Sequence, residues 1–166
     1  MLDYVVDQTT EYIDRMPKEE RKKYGQFFTS KESAIFMASL FHIPENMPEV
    51  YILDPGAGSG ILSVALLERL NEIQSITDIH LVCYENDATV AELLQHNLAW
   101  VSSRCQKHFT YEIVNDNYIV SQREAYNATL SDGAAGRKFD FIIGIINSLY
   151  SMSTLSSLQK DMRMAG

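Results

Sequence analysis

The sequence has few cysteines, and none of its histidines or cysteines is spaced like a set of metal ligands. Among its 166 residues only Cys83 and Cys105 are cysteines, which are too few for a disulfide framework in a chain long enough to build a core. We therefore expect a reducing compartment, the cytoplasm. The four histidines add no ligand-like spacing, so we expect no structural metal.

Basic residues are also few. Lysine and arginine number 14 against 22 aspartates and glutamates, which gives a net charge of -8. This sign excludes a protein whose whole surface binds nucleic-acid phosphates, so any contact with nucleic acid must be local. The one basic cluster is Arg21 to Lys23, a pattern equally typical of a solvated helix face.

Long apolar runs are missing as well. No window approaches about 18 uninterrupted apolar residues, so no transmembrane helix is predicted. The first seven residues contain an acid where a signal peptide needs basic residues. We expect a protein that is neither exported nor inserted in a membrane, with one compact domain and a short arm.

The first 48 residues show helical patterns. Apolar residues recur at helical spacing from Tyr4 to about Ile13. Thr29 stands three residues before Glu32, a capping-box arrangement that predicts a second helix beginning there. Residues 1–48 are thus predicted to form an N-terminal helical arm.

From residue 50 onward, strand patterns alternate with helix patterns. The predicted strands are 50–53, 79–84, 109–114 and an apolar run at 139–146, and the predicted helices are 61–73 and 88–101. Such alternation is typical of βαβ units, so we expect an α/β fold with a mostly parallel, Rossmann-like sheet of four strands, incomplete at the C-terminus. The run at 139–146 is expected to be a central strand covered on both faces. We assign 49–150 to this α/β domain and 151–166 to a flexible tail.

A glycine-rich turn, Asp54-Pro-Gly-Ala-Gly-Ser-Gly60, directly follows the first predicted strand and precedes a helix. Glycines in that place allow a ligand to approach the backbone. A phosphate loop would need lysine where Leu62 stands, and a dinucleotide loop would need glycine where Ile61 stands. An acid at the strand tip without pyrophosphate-type spacing favours a nucleoside with a cationic amino-acid end, and S-adenosylmethionine is such a ligand.

Two further acids follow predicted strands. Glu85 ends the second strand, where a carboxylate can accept hydrogen bonds from both ribose hydroxyls. Asp116 follows the third strand, where it can accept from an adenine amino group while Tyr118 covers the ring. Ordinary alternatives stay open: a solvated strand-end acid for Glu85, a helix-capping residue for Asp54 and a turn residue for Asp116.

Together these features resemble the amino-group DNA methyltransferases, especially the N6-adenine enzymes of restriction-modification systems, over about residues 20–150. Lys23-Tyr-Gly-Gln-Phe-Phe-Thr29 resembles their GQ(F/Y)xTP cofactor motif. The turn at 54–60 resembles their DPxxGxG cofactor loop, and Phe139-Asp-Phe-Ile-Ile-Gly144 resembles the strand that leads into their catalytic NPPY. The GQFFT element distinguishes this resemblance, because many other S-adenosylmethionine enzymes share the loop alone.

The resemblance implies an S-adenosylmethionine-dependent methyltransferase fold and a set of residues that hold this cofactor. These are Asp54, Gly56 and Gly58 at its methionine end, Glu85 at its ribose, Asp116 at its adenine, and Gln26, Phe27, Phe28 and Thr29 as further contacts. Simple packing is the alternative for Phe27 and Phe28, and helix capping is the alternative for Thr29. Ser30 departs from the family's proline.

The catalytic motif departs further from the family pattern. After Gly144 the family places Asn-Pro-Pro-Tyr, whereas this chain has Asn147 and Tyr150 two residues late and lacks both prolines. In the family, this motif accepts hydrogen bonds from the adenine amine, which localises its lone pair, and the aromatic ring stacks on the flipped base. Asn147 and Tyr150 are the candidate catalytic residues, and the alternative is a polar strand end followed by a disordered tail.

Three functions follow from this comparison of motifs. The preferred one is the S-adenosylmethionine-binding part of an adenine-specific DNA methyltransferase, truncated or from a disrupted gene, and weak or inactive alone. Its DNA contact would come from a missing region or subunit, such as a partner methyltransferase or a specificity subunit. The second is a protein glutamine methyltransferase, against which the GQFFT element speaks. The third is a cofactor-binding or assembly module that has lost catalysis.

Overall fold

The computed structural model describes residues 1–19, 28–122 and 138–145. Its helices are α1 (Leu2–Asp14), α2 (Lys31–Ser39), α3 (Ile61–Asn71) and α4 (Ala88–Ser102). Its strands are β1 (Glu49–Asp54), β2 (Asp78–Tyr84), β3 (His108–Val114) and β4 (Phe141–Ile142). The elements predicted between residues 50 and 114 are confirmed, with each end within two residues of its expected position.

The four strands form one parallel sheet in the order β3-β2-β1-β4. This arrangement confirms the predicted α/β class and the parallel sheet. The chain passes from β1 to β2 to β3 in one direction, while β4 lies on the other side of β1. Such a reversal of strand order is a topological switch point, beyond whose carboxyl strand ends α/β proteins bind their ligands.

The core lies between one face of the sheet and the helices. Val50 and Ile52 of β1 and Ile79 and Leu81 of β2 pack there, because side chains of alternate strand residues point to the same face. Helix α3 has eight buried residues in its 11, as expected for a helix surrounded by other elements. Helices α1 and α2 add Leu2, Val5, Ala34 and Ala38 to the same core cluster.

The other face of the sheet carries a row of polar and aromatic side chains near the amino ends of the strands. The Tyr51 ring stacks on the His80 ring with centroids 4.7 Å apart. His80 Nδ1 lies 2.6 Å from Thr110 Oγ1, and His108 Nδ1 lies 2.8 Å from Asp78 Oδ1. These side chains bridge neighbouring strands far from the carboxyl edge.

Helix α2 begins one residue later than predicted. Its N-cap is Ser30, whose Oγ accepts a hydrogen bond from the Ser33 backbone N–H at 3.2 Å. The prediction that Thr29 caps this helix together with Glu32 is therefore wrong. Both positions carry a hydroxyl, but Ser30 also donates to the Ser33 hydroxyl at 3.1 Å, which gives it two partners in the first turn.

Strand β4 is shorter than the apolar run that predicted it. Within the described parts of the chain it pairs with β1 alone and forms one edge of the sheet. Phe141 and Ile143 are buried, whereas Ile142 is 59% exposed and Ile145 is 50% exposed. This alternation is typical of a strand with one covered face, so the expectation of a central strand covered on both faces is not met there.

Among the residues that the structure describes, no helix is long and apolar enough to cross a membrane. The division into an arm at 1–48, a domain at 49–150 and a tail at 151–166 stays a prediction.

Candidate functional site

Asp54 ends β1 at the carboxyl edge of the sheet, and its side chain is 0% exposed. Its Oδ2 accepts a hydrogen bond from the Ser63 hydroxyl at 2.6 Å, and its Oδ1 accepts one from the Gly56 N–H at 3.3 Å. Burial raises the pKa of Asp54 from 3.8 to about 7, because it penalises the charged form more than these two hydrogen bonds favour it. Asp54 therefore changes its charge near neutral pH.

The glycine-rich turn at 55–60 connects β1 to α3. Gly58 has φ 55 and Gly60 has φ 91, the left-handed region that favours glycine. The Gly60 N–H donates to the Ala57 carbonyl at 2.9 Å, which closes the turn. A Cβ on Gly60 would lie 2.9 Å from Leu94 Cδ1, so a side chain there would also have to displace the end of this leucine of α4.

Glu85 follows β2 and contacts the glycine-rich turn. Its Oε2 accepts from the Gly58 N–H at 2.9 Å, and its Oε1 accepts from the Asp87 N–H at 2.9 Å. Partial burial raises the pKa of Glu85, while the hydrogen bonds from Asp87 and Gly58 act in the opposite direction. Because a carboxylate has about four acceptor positions, and the backbone of Asn86 contributes a third hydrogen bond, Glu85 keeps capacity for a further donor.

Phe28 of the GQFFT element lies against the turn. A Cβ on Gly58 would be 3.7 Å from the Phe28 ring, an ordinary contact distance. Thr29 is half-buried and precedes the N-cap of α2. Gln26 and Phe27 lie outside the described residues.

Asp116 follows β3 at the same edge of the sheet and is exposed. Its Oδ1 accepts a hydrogen bond from the Asn117 N–H at 2.7 Å, as in a turn. The neighbouring Asn115 donates from Nδ2 to the Glu85 carbonyl at 2.8 Å. The structure thus brings Asp54, Gly56, Gly58, Glu85 and Phe28 together, and joins the Asp116 segment to them through Asn115.

Asn147 and Tyr150 lie outside the described residues. The segment that leads to them ends beside Asp54, since a Cβ on Gly144 would lie 2.8 Å from Asp54 Oδ1 and 2.8 Å from Pro55 Cδ. The segment that follows β4 and leads to the candidate catalytic residues therefore lies against the acid that precedes the glycine-rich turn.

Neither cysteine forms a disulfide, and Cys83 is buried behind Asp54. Its Sγ lies 4.0 Å from Ser63 Oγ, and burial raises the pKa of the Cys83 thiol well above its ordinary value. Within residues 1–19, 28–122 and 138–145, no group of three or more histidine, cysteine or acidic side chains could hold a metal ion.

Comparison with known proteins identifies the family. A family model described as N-6 DNA Methylase matches residues 4–165. The chain belongs to this family. This confirms, at the level of the family, the resemblance to N6-adenine DNA methyltransferases that the motifs indicate.

Relatives of this N-6 DNA methylase chain are much longer than it is. It is 31% identical to the type II methyltransferase M.BsuBI of Bacillus subtilis over 149 residues. This alignment covers 88% of the chain and 28% of that protein. It is 26% identical over 136 residues to the modification methylase CviBIII of Paramecium bursaria Chlorella virus NC1A, over 82% of the chain and 29% of that protein. It is 36% identical over 88 residues to the type II methyltransferase M.PstI of Providencia stuartii, over 52% of the chain and 16% of that protein. The chain spans less than a third of each.

Three residues that were not predicted as site residues lie against Asp54 or the glycine-rich turn. Ser63 and Gly144 enclose the Asp54 carboxyl, and Asn97 of α4 donates from Nδ2 to the Ser59 carbonyl at 2.9 Å. The signal for Asn97 was a polar residue within the apolar stripe of a helix. Ser63 and Gly144 gave no such signal, since their contacts depend on how α3 and β4 pack against β1.

Proposed function

We propose that this chain is the S-adenosylmethionine-binding part of a DNA methyltransferase that transfers a methyl group to the N6 amino group of adenine in a restriction-modification system. The observation that carries the proposal is the hydrogen bond from Gly58 to Glu85, which joins the glycine-rich turn to the acid after β2. This contact lies at the carboxyl edge of the parallel sheet, next to the switch point between β1 and β4, in an N-6 DNA methylase chain. The printed names of the relatives, type II methyltransferases and a modification methylase, support the same reaction class.

The residues at the edge fit a nucleoside with a cationic amino-acid end. Glu85 keeps acceptor capacity on its carboxylate beyond its backbone hydrogen bonds, which suits a ribose hydroxyl. A Cβ at Gly58 would lie 3.7 Å from the Phe28 ring, so this ring lies next to the turn at the proposed cofactor site. When bound, S-adenosylmethionine supplies an electrophilic methyl group on its sulfonium.

The enclosed Asp54 carboxyl affects the methionine end through charge and through the turn. Its Oδ1 orients the Gly56 N–H, and its ionised form favours a nearby ammonium group. Asp116 and Tyr118 are proposed for the adenine, where the Tyr118 ring already packs edge-on against Tyr84 with centroids 5.0 Å apart.

For the transfer step we keep Asn147 and Tyr150 as the residues that accept from the target amine and stack on the base. Without prolines this motif lacks the fixed backbone that aims those groups, and a misplacement of about 1 Å can cost about a hundredfold in rate. We therefore expect weak or no DNA methylation from the isolated chain, with DNA held by a region or partner subunit outside it. The cytoplasm stays the predicted compartment.

Calorimetric titration with S-adenosylmethionine tests the proposal. The wild-type chain should bind, and Glu85→Gln should weaken binding by about tenfold or more, because an amide replaces one acceptor oxygen with a donor. Glu72→Gln makes the same chemical change at an exposed acid beyond α3 and should leave binding unchanged. Failure of the wild-type chain to bind would contradict the proposal.

A cofactor-binding module without catalysis is the second candidate, favoured by the displaced Asn147 and the missing prolines. Replacing residues 145–150 with Asn-Pro-Pro-Tyr separates the two. A methyltransferase should then gain transfer to adenine-containing DNA when partner chains are supplied, whereas a module should gain none. Methylation of a release-factor-like peptide but not DNA would instead identify a glutamine methyltransferase.

A further inference from the structure

Asn97 is a polar residue on the face of α4 that packs against the core. It is 0% exposed and lies between Leu94 and Leu98, which are also fully buried. An amide in such surroundings is unfavourable unless its hydrogen bonds are made. Asn97 makes one of them across elements, from Nδ2 to the Ser59 carbonyl at 2.9 Å.

The oxygen of this amide, in contrast to its nitrogen, makes no hydrogen bond within the described residues. Asn97 Oδ1 is buried without a hydrogen-bond partner among the described residues, and the Ser59 hydroxyl is in the same condition. An unpaired buried oxygen lowers stability, so a leucine at position 97 would suit the core better than asparagine does. What asparagine supplies and leucine cannot is a donor to the backbone of the glycine-rich turn.

The Ser59 carbonyl stands between two glycines in left-handed conformation. Gly58 has φ 55 and Gly60 has φ 91, so the turn reverses its direction around residue 59. The Gly58 N–H on one side of this carbonyl reaches Glu85, and on the other side a Cβ added to Gly60 would lie 2.9 Å from Leu94 Cδ1 of α4. The anchor on Ser59 therefore lies one residue from the glycine whose N–H meets Glu85.

We infer that Asn97 is a positioning residue of the cofactor site, which acts through the Ser59 carbonyl to hold the glycine-rich turn in the shape that meets Glu85. The inference rests on the proposed function, because it assigns the turn to S-adenosylmethionine. Asn97 itself is fully buried, so the proposed effect on the cofactor is exerted through the turn.

The test compares Asn97→Leu with Val101→Ala. Val101 is buried one turn further along α4 and contacts the core away from the turn, so its truncation lowers stability without removing the anchor. Both variants are measured by calorimetry with S-adenosylmethionine at a temperature where circular dichroism shows them folded. Hydrogen exchange of the Gly60 amide, which donates to Ala57 within the turn, reports the turn in the absence of ligand.

Asn97→Leu should weaken binding by about tenfold and speed exchange of the Gly60 amide, while Val101→Ala should lower the unfolding midpoint and bind as the wild type does. Equal binding by Asn97→Leu and the wild type would overturn the inference, and so would an equal loss in both variants. Should Asn97→Leu not fold, Asn97→Ala removes the same donor and leaves room for water. If the wild type binds no cofactor, the proposed function fails, and unchanged Gly60 exchange in Asn97→Leu still overturns the positioning role.

Discussion

The Asp54 carboxyl shows what local sequence can and cannot reveal about a single residue. Its place after a strand and before a glycine-rich turn predicted a site acid. Its enclosure by Ser63 and Gly144 could not be predicted, because Gly144 lies 90 positions away and meets it only through the pairing of β4 with β1. The same enclosure moves its titration to near neutral pH.

The raised pKa of Asp54 predicts a pH dependence of folding. The folded chain binds this proton more tightly than the unfolded chain, so the stability it contributes is complete below pH 3.8 and is lost as pH rises to about 7. The free energy of unfolding that is lost is on the order of 4 kcal/mol for a pKa shift of this size. Asp54→Asn keeps an acceptor for Ser63 and should flatten the stability profile over that range.

Urea unfolding at a series of pH values measures this effect as the difference between Asp54→Asn and the wild type. Glu72→Gln serves as the control and should keep the wild-type slope. Parallel profiles for Asp54→Asn and the wild type would show that Asp54 ionises normally in the folded chain.

Gly144 predicts a steric effect. A methyl group there would stand 2.8 Å from both Asp54 Oδ1 and Pro55 Cδ, closer than real side-chain contacts. Gly144→Ala should therefore destabilise the fold by about 1–3 kcal/mol. Ile142→Ala, at an exposed position of β4 two residues earlier, should change stability by no more than about 0.5 kcal/mol. Equal unfolding midpoints for the two variants in urea would contradict the contact.

At the scale of elements, the periodic patterns predicted the strands and helices between residues 50 and 114 because each pattern reflects burial along one element. The sequence patterns did not predict features for which the same local sequence is compatible with more than one packing arrangement. An apolar run at 139–146 predicts a strand, but whether β4 is covered depends on what packs on its other side. Two adjacent hydroxyls before α2 likewise leave the choice of N-cap to the geometry of its first turn.

The corrected start of α2 predicts different costs for two neighbouring substitutions. Ser30→Ala removes the oxygen that caps the Ser33 N–H and should cost about 1 kcal/mol of stability. Thr29→Ala should cost only a few tenths of a kcal/mol, about what a surface substitution costs. Thermal unfolding of the two variants measures the difference. A larger loss for Thr29→Ala would restore the capping box first expected from the sequence.

At the scale of the whole molecule, the net charge of -8 sets the chain apart from a protein whose whole surface binds DNA phosphates. Fluorescence anisotropy with an adenine-containing duplex should show no binding by the isolated chain up to about 10 μM at physiological salt. Supplying a partner subunit that carries the DNA contact should restore binding. Tight binding by the isolated chain, weakening steeply with added salt, would contradict this view of its charge.

The central claim is that S-adenosylmethionine binds at the carboxyl edge of the parallel sheet. The most direct measurement is a titration of the isotope-labelled chain with S-adenosylmethionine, followed through its backbone amide chemical shifts. We predict large shifts of the amides of Gly56, Gly58 and Glu85. The amides of His80 and His108, near the amino ends of the strands, should be unchanged. No shifts at saturating ligand, or shifts confined to the His80 and His108 face, would contradict it.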